Sequence, residues 1–490
     1  MMLPPRRRKE PARPPAPFSL QTPVSWLSPK DELTLGQCCE GVMVFGATGS
    51  GKSSGIADTI IPGLLRLGCG ALWLCAKPGE YQHALALARA TGRESDVVRF
   101  APGERWTFDV VGEEITAPGG GVESAAQLID TLLRLAQRNA AGGGDEPFWA
   151  ALASRIIRMS LCVARAATGT ASMGLVDQIV ASAPQSREAA DSPALDQESL
   201  CARLILHAKL LDLTPPERRD LDHAAQFFLS EWVALADKTR SIGQTMVQNI
   251  TSRFVTGPLA DLVSSGSSNL PSVCDGAIVV ADMAVLTHRE LGQFFGCLLK
   301  QSIARQVLRR EVTDDLRPVV IIADEAQLFC DPEQDAMTQT VARQSRLISL
   351  ALTQSLPTLY SSAGGGDKAK QAMDSWIGNH QTKLVCASGC AETNRFFEAA
   401  FGMEWRRSFS GSTNTQGFDL MADMMGQQSV TVSGGWHEQW LPALPAHEFT
   451  RLAKGGPAFG CRVEAYAFQG GRVWSNGKTF MKVTFDQRKS

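Results

Sequence analysis

Gly46-Ala47-Thr48-Gly49-Ser50-Gly51-Lys52-Ser53 follows directly on the apolar run Gly41-Val42-Met43-Val44-Phe45 and precedes Ser54-Gly55-Ile56-Ala57-Asp58-Thr59-Ile60-Ile61. The pattern G-x-x-x-x-G-K-S carries meaning in this setting of strand, tight glycine turn and helix. Glycines let consecutive backbone N–H groups curl around a polyphosphate where a β-carbon would obstruct, and the helix N-terminus adds positive partial charge at the same point. Lys52 is placed to reach the β- and γ-phosphates, and the Ser53 hydroxyl to take a coordination position on Mg²⁺. The candidate nucleotide-binding residues are therefore Gly46, Thr48, Gly49, Ser50, Gly51, Lys52, Ser53 and Ser54, with ATP and Mg²⁺ as the expected ligands.

Outward from this loop the alternation of elements fixes the fold class. A short apolar run at 69–75 suits a buried parallel strand, and Val97-Val98-Arg99-Phe100 reads as a third, giving β-α-β-α-β, an α/β doubly wound pattern with a mostly parallel central sheet. From about Val122 to Asp237 the periodicity turns helical. Residues 125–137, 148–167, 198–211 and 220–238 are amphipathic at helical spacing, and the polar tract 181–197 reads as a loop. Strand-like sequence returns at 277–281, followed by a long helix over 290–310 whose Arg305, Arg309 and Arg310 complement the helix dipole. The block 122–237 is thus expected to be an all-helical domain inserted into the nucleotide-binding fold.

Pro318-Val319-Val320-Ile321-Ile322-Ala323-Asp324-Glu325 is an apolar strand ending in two carboxylates, the second half of a nucleotide site once a phosphate loop is present. Asp324 is expected to hold Mg²⁺ through water, and Glu325 to polarise the attacking water. The next buried run, 347–352, ends in Thr353-Gln354-Ser355, which places Gln354 at the carboxyl edge of a parallel strand, where it can sense a γ-phosphate. Further strands are expected at 382–386, 461–468 and 479–485, the last two as an antiparallel addition.

Composition bounds the remaining classes. At 490 residues, with 44% hydrophobic and 20% charged content, the chain is an ordinary globular protein long enough for several domains. Its net charge of −2 excludes a surface that is basic all over, so any nucleic-acid contact is local. None of the 12 cysteines stands in a C-x-x-C pair or a metal-ligating cluster, and scattered thiols point to the reducing cytosol. No run approaches the ~18 apolar residues of a membrane span. The first 17 residues carry Arg6-Arg7-Arg8-Lys9 and six prolines, without the apolar core of a signal peptide.

Beyond the two split nucleotide motifs, several stretches resemble the coupling proteins of type IV secretion and conjugation (the TraG/TraD type), relatives of the FtsK/HerA DNA motors. Phe148-Trp149, and Trp232 with Asp237-Lys238-Thr239-Arg240-Ser241-Ile242, look like that family's insertion domain and its exit. Ala342-Arg343-Gln344-Ser345-Arg346 followed by Leu352-Thr353-Gln354-Ser355-Leu356 is similar to its third ATPase motif, and Gly378-Asn379 and Ala391-Glu392-Thr393 resemble later landmarks. The resemblance covers roughly 35–465. It implies a RecA-like P-loop ATPase domain (31–121 and 238–490) and the helical insertion (122–237), while the Arg- and Pro-rich start reads by composition as a disordered basic tail (1–30). It also implies a homo-hexameric ring that recruits or moves DNA, single-stranded DNA above all, or a nucleoprotein or protein cargo, together with a relaxase or the secretion machinery. The family's arginine finger maps best to Arg343, eleven residues before Gln354, with Arg346 the competing choice. Family members usually carry an N-terminal pair of membrane helices. Their absence here implies a cytoplasmic variant, or one held peripherally at the inner membrane through a partner. The family's acidic-Pro-Lys-Gly-Glu element is here Cys75-Ala76-Lys77-Pro78-Gly79-Glu80, which keeps the lysine and glutamate but lacks the aspartate. The rival expectations are a FtsK/HerA-like motor of genome defence or DNA processing, and an adaptor that binds ATP with little turnover.

Overall fold

The computed structural model describes residues 18–139, 147–263, 266–415 and 430–488. Most of the basic tail lies outside them. Part of it does not: Pro23–Ser28, within the expected disordered tail, is a strand (β1) paired antiparallel with β2 (Asp31–Thr34). Val24 and Leu27 are buried, and Val24 packs so closely on the helix Asp58–Arg66 that a Cβ on Gly63 would stand 2.0 Å from its carbonyl oxygen. These two apolar side chains hold the hairpin down.

The remaining strands are β3 (Val42–Phe45), β4 (Gly70–Leu74), β5 (Val97–Phe100), β6 (Ile278–Ala281), β7 (Val319–Ala323), β8 (Leu347–Thr353), β9 (Thr382–Cys386), β10 (Met403–Thr415), β11 (Val430–Pro442), β12 (Arg462–Gln469) and β13 (Phe480–Asp486). Nine of them form one sheet in the order β13-β12-β9-β3-β8-β7-β4-β6-β5. From β9 to β5 every pairing is parallel; β12 runs antiparallel to β9 and to β13. The expected antiparallel addition is therefore at one edge. A period of two divides each central strand between two cores. Met43 and Phe45 of β3, with Leu72 and Leu74 of β4, enter one; Val42 and Val44, with Ala71 and Trp73, enter the other.

The helices Asp58–Arg66 and Glu80–Ala90 cover the second face, and Glu290–Leu308 the first. Among the described residues between β5 and β6 every regular element is helical. The helices Val122–Asn139 and Pro147–Thr168 match the amphipathic stretches closely, and their core is continuous with the sheet's first face. The tract 181–197 holds two short helical turns, Arg187–Ala190 and Leu195–Glu198. The helical run does not end at 237. The expected helix over 220–238 breaks where Leu235 and Ala236 turn extended, and a new helix, Asp237–Val255, packs back on Pro147–Thr168. Gly243 allows that contact: a Cβ there would meet Ile156 at 2.9 Å and Leu152 at 3.0 Å.

The arginines at the end of Glu290–Leu308 do more than complement a dipole. Arg305 and Arg309 donate to the carboxylate of Glu114, which is 1% exposed, at distances from 2.5 to 3.2 Å. Arg310 donates to the carbonyls of Arg317 and Ser345. The strands β10 and β11 make a ribbon of their own, which the sequence reading did not anticipate.

Candidate active site

The order of strands explains the site. β8 lies between β3 and β7, so the turns that leave all three at their carboxyl ends are neighbours. The turn after β3 is the glycine loop, the turn after β7 begins with Asp324 and Glu325, and the turn after β8 is Gln354. Residues 271 positions apart then meet: the Ser53 hydroxyl donates to Asp324 Oδ2 at 2.9 Å.

Local chemistry shapes the loop. Gly49 and Gly51 have φ of 72° and 83°, where a side chain is strained. Gly46 is closely surrounded, since a Cβ would stand 2.5 Å from Ser50 Oγ and 2.7 Å from Cys386 Cβ. The helix that starts at Lys52 has Gly51 at its N-cap and no side-chain cap, so its first-turn N–H groups lack a protein acceptor of that kind. Thr48 and Gly49 are exposed at the loop's crest. Lys52 is buried and folds back onto the loop, donating to the carbonyls of Gly46 (2.7 Å) and Ala47 (3.2 Å). Burial lowers its pKa, with Glu325 and Asp324 acting in the other direction. The Ser54 hydroxyl accepts from Gln487 Nε2 at 2.6 Å, so that side chain is directed to the C-terminal strands. β12 also buttresses the loop through Val463, whose methyl would lie 2.3 Å from a Cβ on Gly51 and 2.9 Å from one on Gly55.

Glu325 has φ 59°, a left-handed conformation that a non-glycine residue adopts at a cost of ~1–3 kcal/mol. Its carboxylate accepts from Gln354 Nε2 at 3.1 Å on both oxygens and from Gln327 Nε2 at 2.9 Å, while Thr353 donates to Gln327 Oε1 at 3.0 Å. Burial pushes the Glu325 pKa up, but these hydrogen bonds and Lys77 outweigh it and hold the group below the usual carboxylate range. It is a charged acceptor at neutral pH. Lys77 Nζ stands 3.2 Å from both Asp324 and Glu325. Burial opposes its charge, yet the two carboxylates dominate and its pKa is raised. Glu80 accepts from the Ala76 N–H at 2.8 Å, and burial beside Asp324 raises its pKa to about 7. Sequence reasoning gave no site role to Lys77 or Gln327. Gln327, two positions beyond Glu325, was visible as a polar residue. Lys77 becomes a neighbour only through the adjacency of β4 and β7.

The residues present suit Mg·ATP. The uncapped helix start, the left-handed glycines and the hydroxyl–carboxylate contact between Ser53 and Asp324 supply the donor set that a phosphate-bound divalent ion uses. Among the described residues no cluster of three or more His, Cys, Asp or Glu side chains could hold a metal by itself.

No protein-family model matches the chain, and neither does the sequence of any curated protein. Solved structures do match. The unbound form of TrwBΔN70, a bacterial conjugative coupling protein, superposes with a TM-score of 0.59 at 14% identity, covering 95% of this chain and 88% of that one. The fold is that of TrwB. TrwB with the non-hydrolysable ATP analogue ADPNP gives a TM-score of 0.54 at 14% identity over 92% of this chain and 87% of that one. TrwB with ADP and Mg²⁺ gives 0.54 at 13% identity over 93% and 87%.

The stretches compared with the coupling-protein family fall at defined places in this TrwB-like fold. Phe148 and Trp149 stack edge to face at the start of Pro147–Thr168. Trp232 is buried against Phe227 and Phe228, and Arg240 donates to the Val233 and Leu235 carbonyls where the chain re-enters a helix. Gly378 and Asn379 close the helix Gly366–Asn379, and Thr393 Oγ1 accepts from the Leu356 N–H at 3.0 Å, tying the helix after Gln354 to Ala391–Phe401. Cys75, which opens the stretch where the aspartate is absent, is buried, and burial pushes its thiol pKa up.

Arg343 is not brought to its own chain's site. It precedes β8, whose seven residues separate it from Gln354 by roughly 20 Å. Its side chain is 60% exposed and pairs with Glu40 at 3.2 Å. Arg346 is buried with φ 54°, and its guanidinium donates to the carbonyls of Phe18 and Asp314.

Proposed function

We propose that this chain is an ATP-hydrolysing motor of the coupling-protein type, which recruits or translocates DNA or a nucleoprotein cargo for a type IV secretion or conjugation system. The observation that carries the reading is the Ser53–Asp324 contact, which joins the phosphate loop to the carboxylate strand. The TrwB fold supports it, because TrwB is a conjugative coupling protein solved with ADPNP and with ADP and Mg²⁺.

In this reading Gly46, Thr48, Gly49, Ser50, Gly51, Lys52 and Ser53 cradle the triphosphate, Ser54 through its backbone alone, and Ser53 with Asp324 holds Mg²⁺. The bound ion supplies charge neutralisation for the transferring phosphoryl group. Glu325, kept ionised by Gln327 and Gln354, orients and polarises the attacking water. Gln354 links that carboxylate to the state of the γ-phosphate. Arg343, exposed at the far end of β8, is offered to the site of a neighbouring copy in a homo-hexameric ring. Arg346 is committed to two backbone carbonyls. The helical insertion reads the cargo or a relaxase-like adaptor. Among the described residues no helix is long and apolar enough to cross a membrane. The coupling-protein reading places its work in the cytoplasm, with the inner membrane reached through partners.

Steady-state ATP turnover with and without single-stranded DNA, for the natural protein and for Lys52→Ala and Glu325→Gln, tests the reading. We expect Mg²⁺-dependent turnover that DNA stimulates and that both variants lower steeply. Absent turnover in the natural protein would favour an ATP-binding adaptor, and turnover indifferent to every nucleic acid would favour protein cargo.

A further inference from the structure

Lys77 lies on the turn between β4 and the helix Glu80–Ala90, beside the end of β7. The turn itself is fixed. The Ala76 N–H donates to Glu80, the Ala76 carbonyl accepts from Leu286 N at 3.0 Å, and Gly79 is left-handed at φ 89°. The Lys77 side chain is the free arm of this rigid turn: it is 42% exposed, against 14% and 11% for the Asp324 and Glu325 side chains it bridges. Two adjacent carboxylates in a partly dry site repel each other and need a cation. Lys52 does not supply it by contact, because its ammonium is spent on the Gly46 and Ala47 carbonyls. Among the described residues Lys77 is the cation paired with these two carboxylates.

The Asp324 oxygen matters. Oδ2, which accepts from Ser53 at 2.9 Å, also accepts from Lys77 at 3.2 Å. A divalent ion held by Ser53 and Asp324, directly or through its water, would compete for that carboxylate and repel an ammonium next to it. We propose that Lys77 is a built-in competitor of Mg²⁺: a positioning residue that holds Asp324 and Glu325 together while no metal is bound and must swing out when metal and triphosphate arrive. The inference rests on the Mg·ATP reading of this site and adds to it a regulation of metal affinity. It makes the site admit Mg²⁺ together with nucleotide phosphates, whose negative charge strengthens the hold on the dication and offers the ammonium another partner, rather than Mg²⁺ alone.

The test is equilibrium binding of a fluorescent ATP analogue titrated with Mg²⁺, with thermal unfolding in Mg²⁺ alone as a second readout, on the natural protein, Lys77→Met and Lys77→Arg. For Lys77→Met we expect the Mg²⁺ concentration for half-maximal nucleotide binding to fall about tenfold. Lys77→Arg, which keeps the competing charge, should stay near the natural value. Mg²⁺ without nucleotide should raise the melting temperature of Lys77→Met but leave that of the natural protein nearly unchanged. An unchanged or higher midpoint in Lys77→Met would overturn the proposal, as would Lys77→Arg behaving like Lys77→Met. If Lys77→Met does not fold, Lys77→Gln takes its place in the titration. Failure of the natural protein to bind nucleotide at any Mg²⁺ concentration would sink the nucleotide reading itself, a result distinct from either.

Discussion

Gly55→Ala is expected to change sign with the residue at 463. Gly55 lies in the helix that follows the phosphate loop, and its φ is not in the left-handed region, so an alanine there meets no backbone strain. Helix propensity alone would favour it by ~1 kcal/mol. The obstacle is Val463 on β12: an added Cβ would stand 2.9, 3.0 and 3.3 Å from Val463 Cγ2, Cβ and Cγ1. Val463 is fully buried and branched at Cβ, so it cannot turn aside, and overpacking of this kind costs about 1–3 kcal/mol. The net effect in the natural protein is a loss of roughly 0–2 kcal/mol. Val463→Ala alone opens a cavity and costs roughly 1–3 kcal/mol. In the double variant two of the three contacts vanish, so Gly55→Ala becomes neutral to stabilising. The coupling between the positions should then be about 1–2 kcal/mol. Urea unfolding of the four proteins measures it, and apparent ATP affinity should follow because the same contact seats Gly51. Free energies that add to within ~0.5 kcal/mol would refute the claim that β12 clamps the phosphate loop.

Glu114→Gln should destabilise by roughly 3 kcal/mol, near the low end for breaking a buried ion pair, because Arg305 and Arg309 retain some contact with water. Burial raises the Glu114 pKa, but Arg309 and Arg305 outweigh it and the group stands lowered; its stabilisation is therefore present above the unfolded carboxylate pKa of about 4.3 and lost as pH falls below it. Acid unfolding should accordingly be shallower in Glu114→Gln than in the natural protein. Glu325→Gln should retain ATP binding while turnover falls by ~10²–10⁴-fold, read by pairing a binding titration with steady-state kinetics. Arg343→Ala should leave ATP binding by one chain unchanged and lower turnover of the assembled protein by ~10³–10⁵-fold, and Arg346→Ala should instead lower the melting temperature.

Much of this was legible because parallel strands announce themselves. β3, β4, β7, β8 and β9 are short, predominantly apolar and bounded by turn residues, and each was placed within a residue or two. The phosphate loop and Asp324-Glu325 carry spacing that only their chemistry requires. What stayed hidden depended on which strands are neighbours. Nothing local to Lys77 tells that β4 lies beside β7, and nothing near Ser54 tells that the C-terminal Gln487 reaches it. Arg305 and Arg309 fitted a dipole argument from sequence alone, since Glu114 is more than 190 positions away. The ribbon of β10 and β11 escaped notice because its strands mix Trp405, Phe409, Trp436 and Trp440 with charged and glycine positions. Its aromatic pairs stay more than half exposed and bury no apolar run. The break at Leu235–Ala236 was masked by continuous helical periodicity on both sides.

The most direct measurement is calorimetric binding of ATP, in Mg²⁺ and in EDTA, to the natural protein, Ser53→Ala, Asp324→Asn and the double variant. If these two side chains share one metal beside the triphosphate, each single change should weaken binding in Mg²⁺ only, and the double variant should be little worse than either. Losses that add fully, or that persist unchanged in EDTA, would mean that the two stretches do not meet around a common ion.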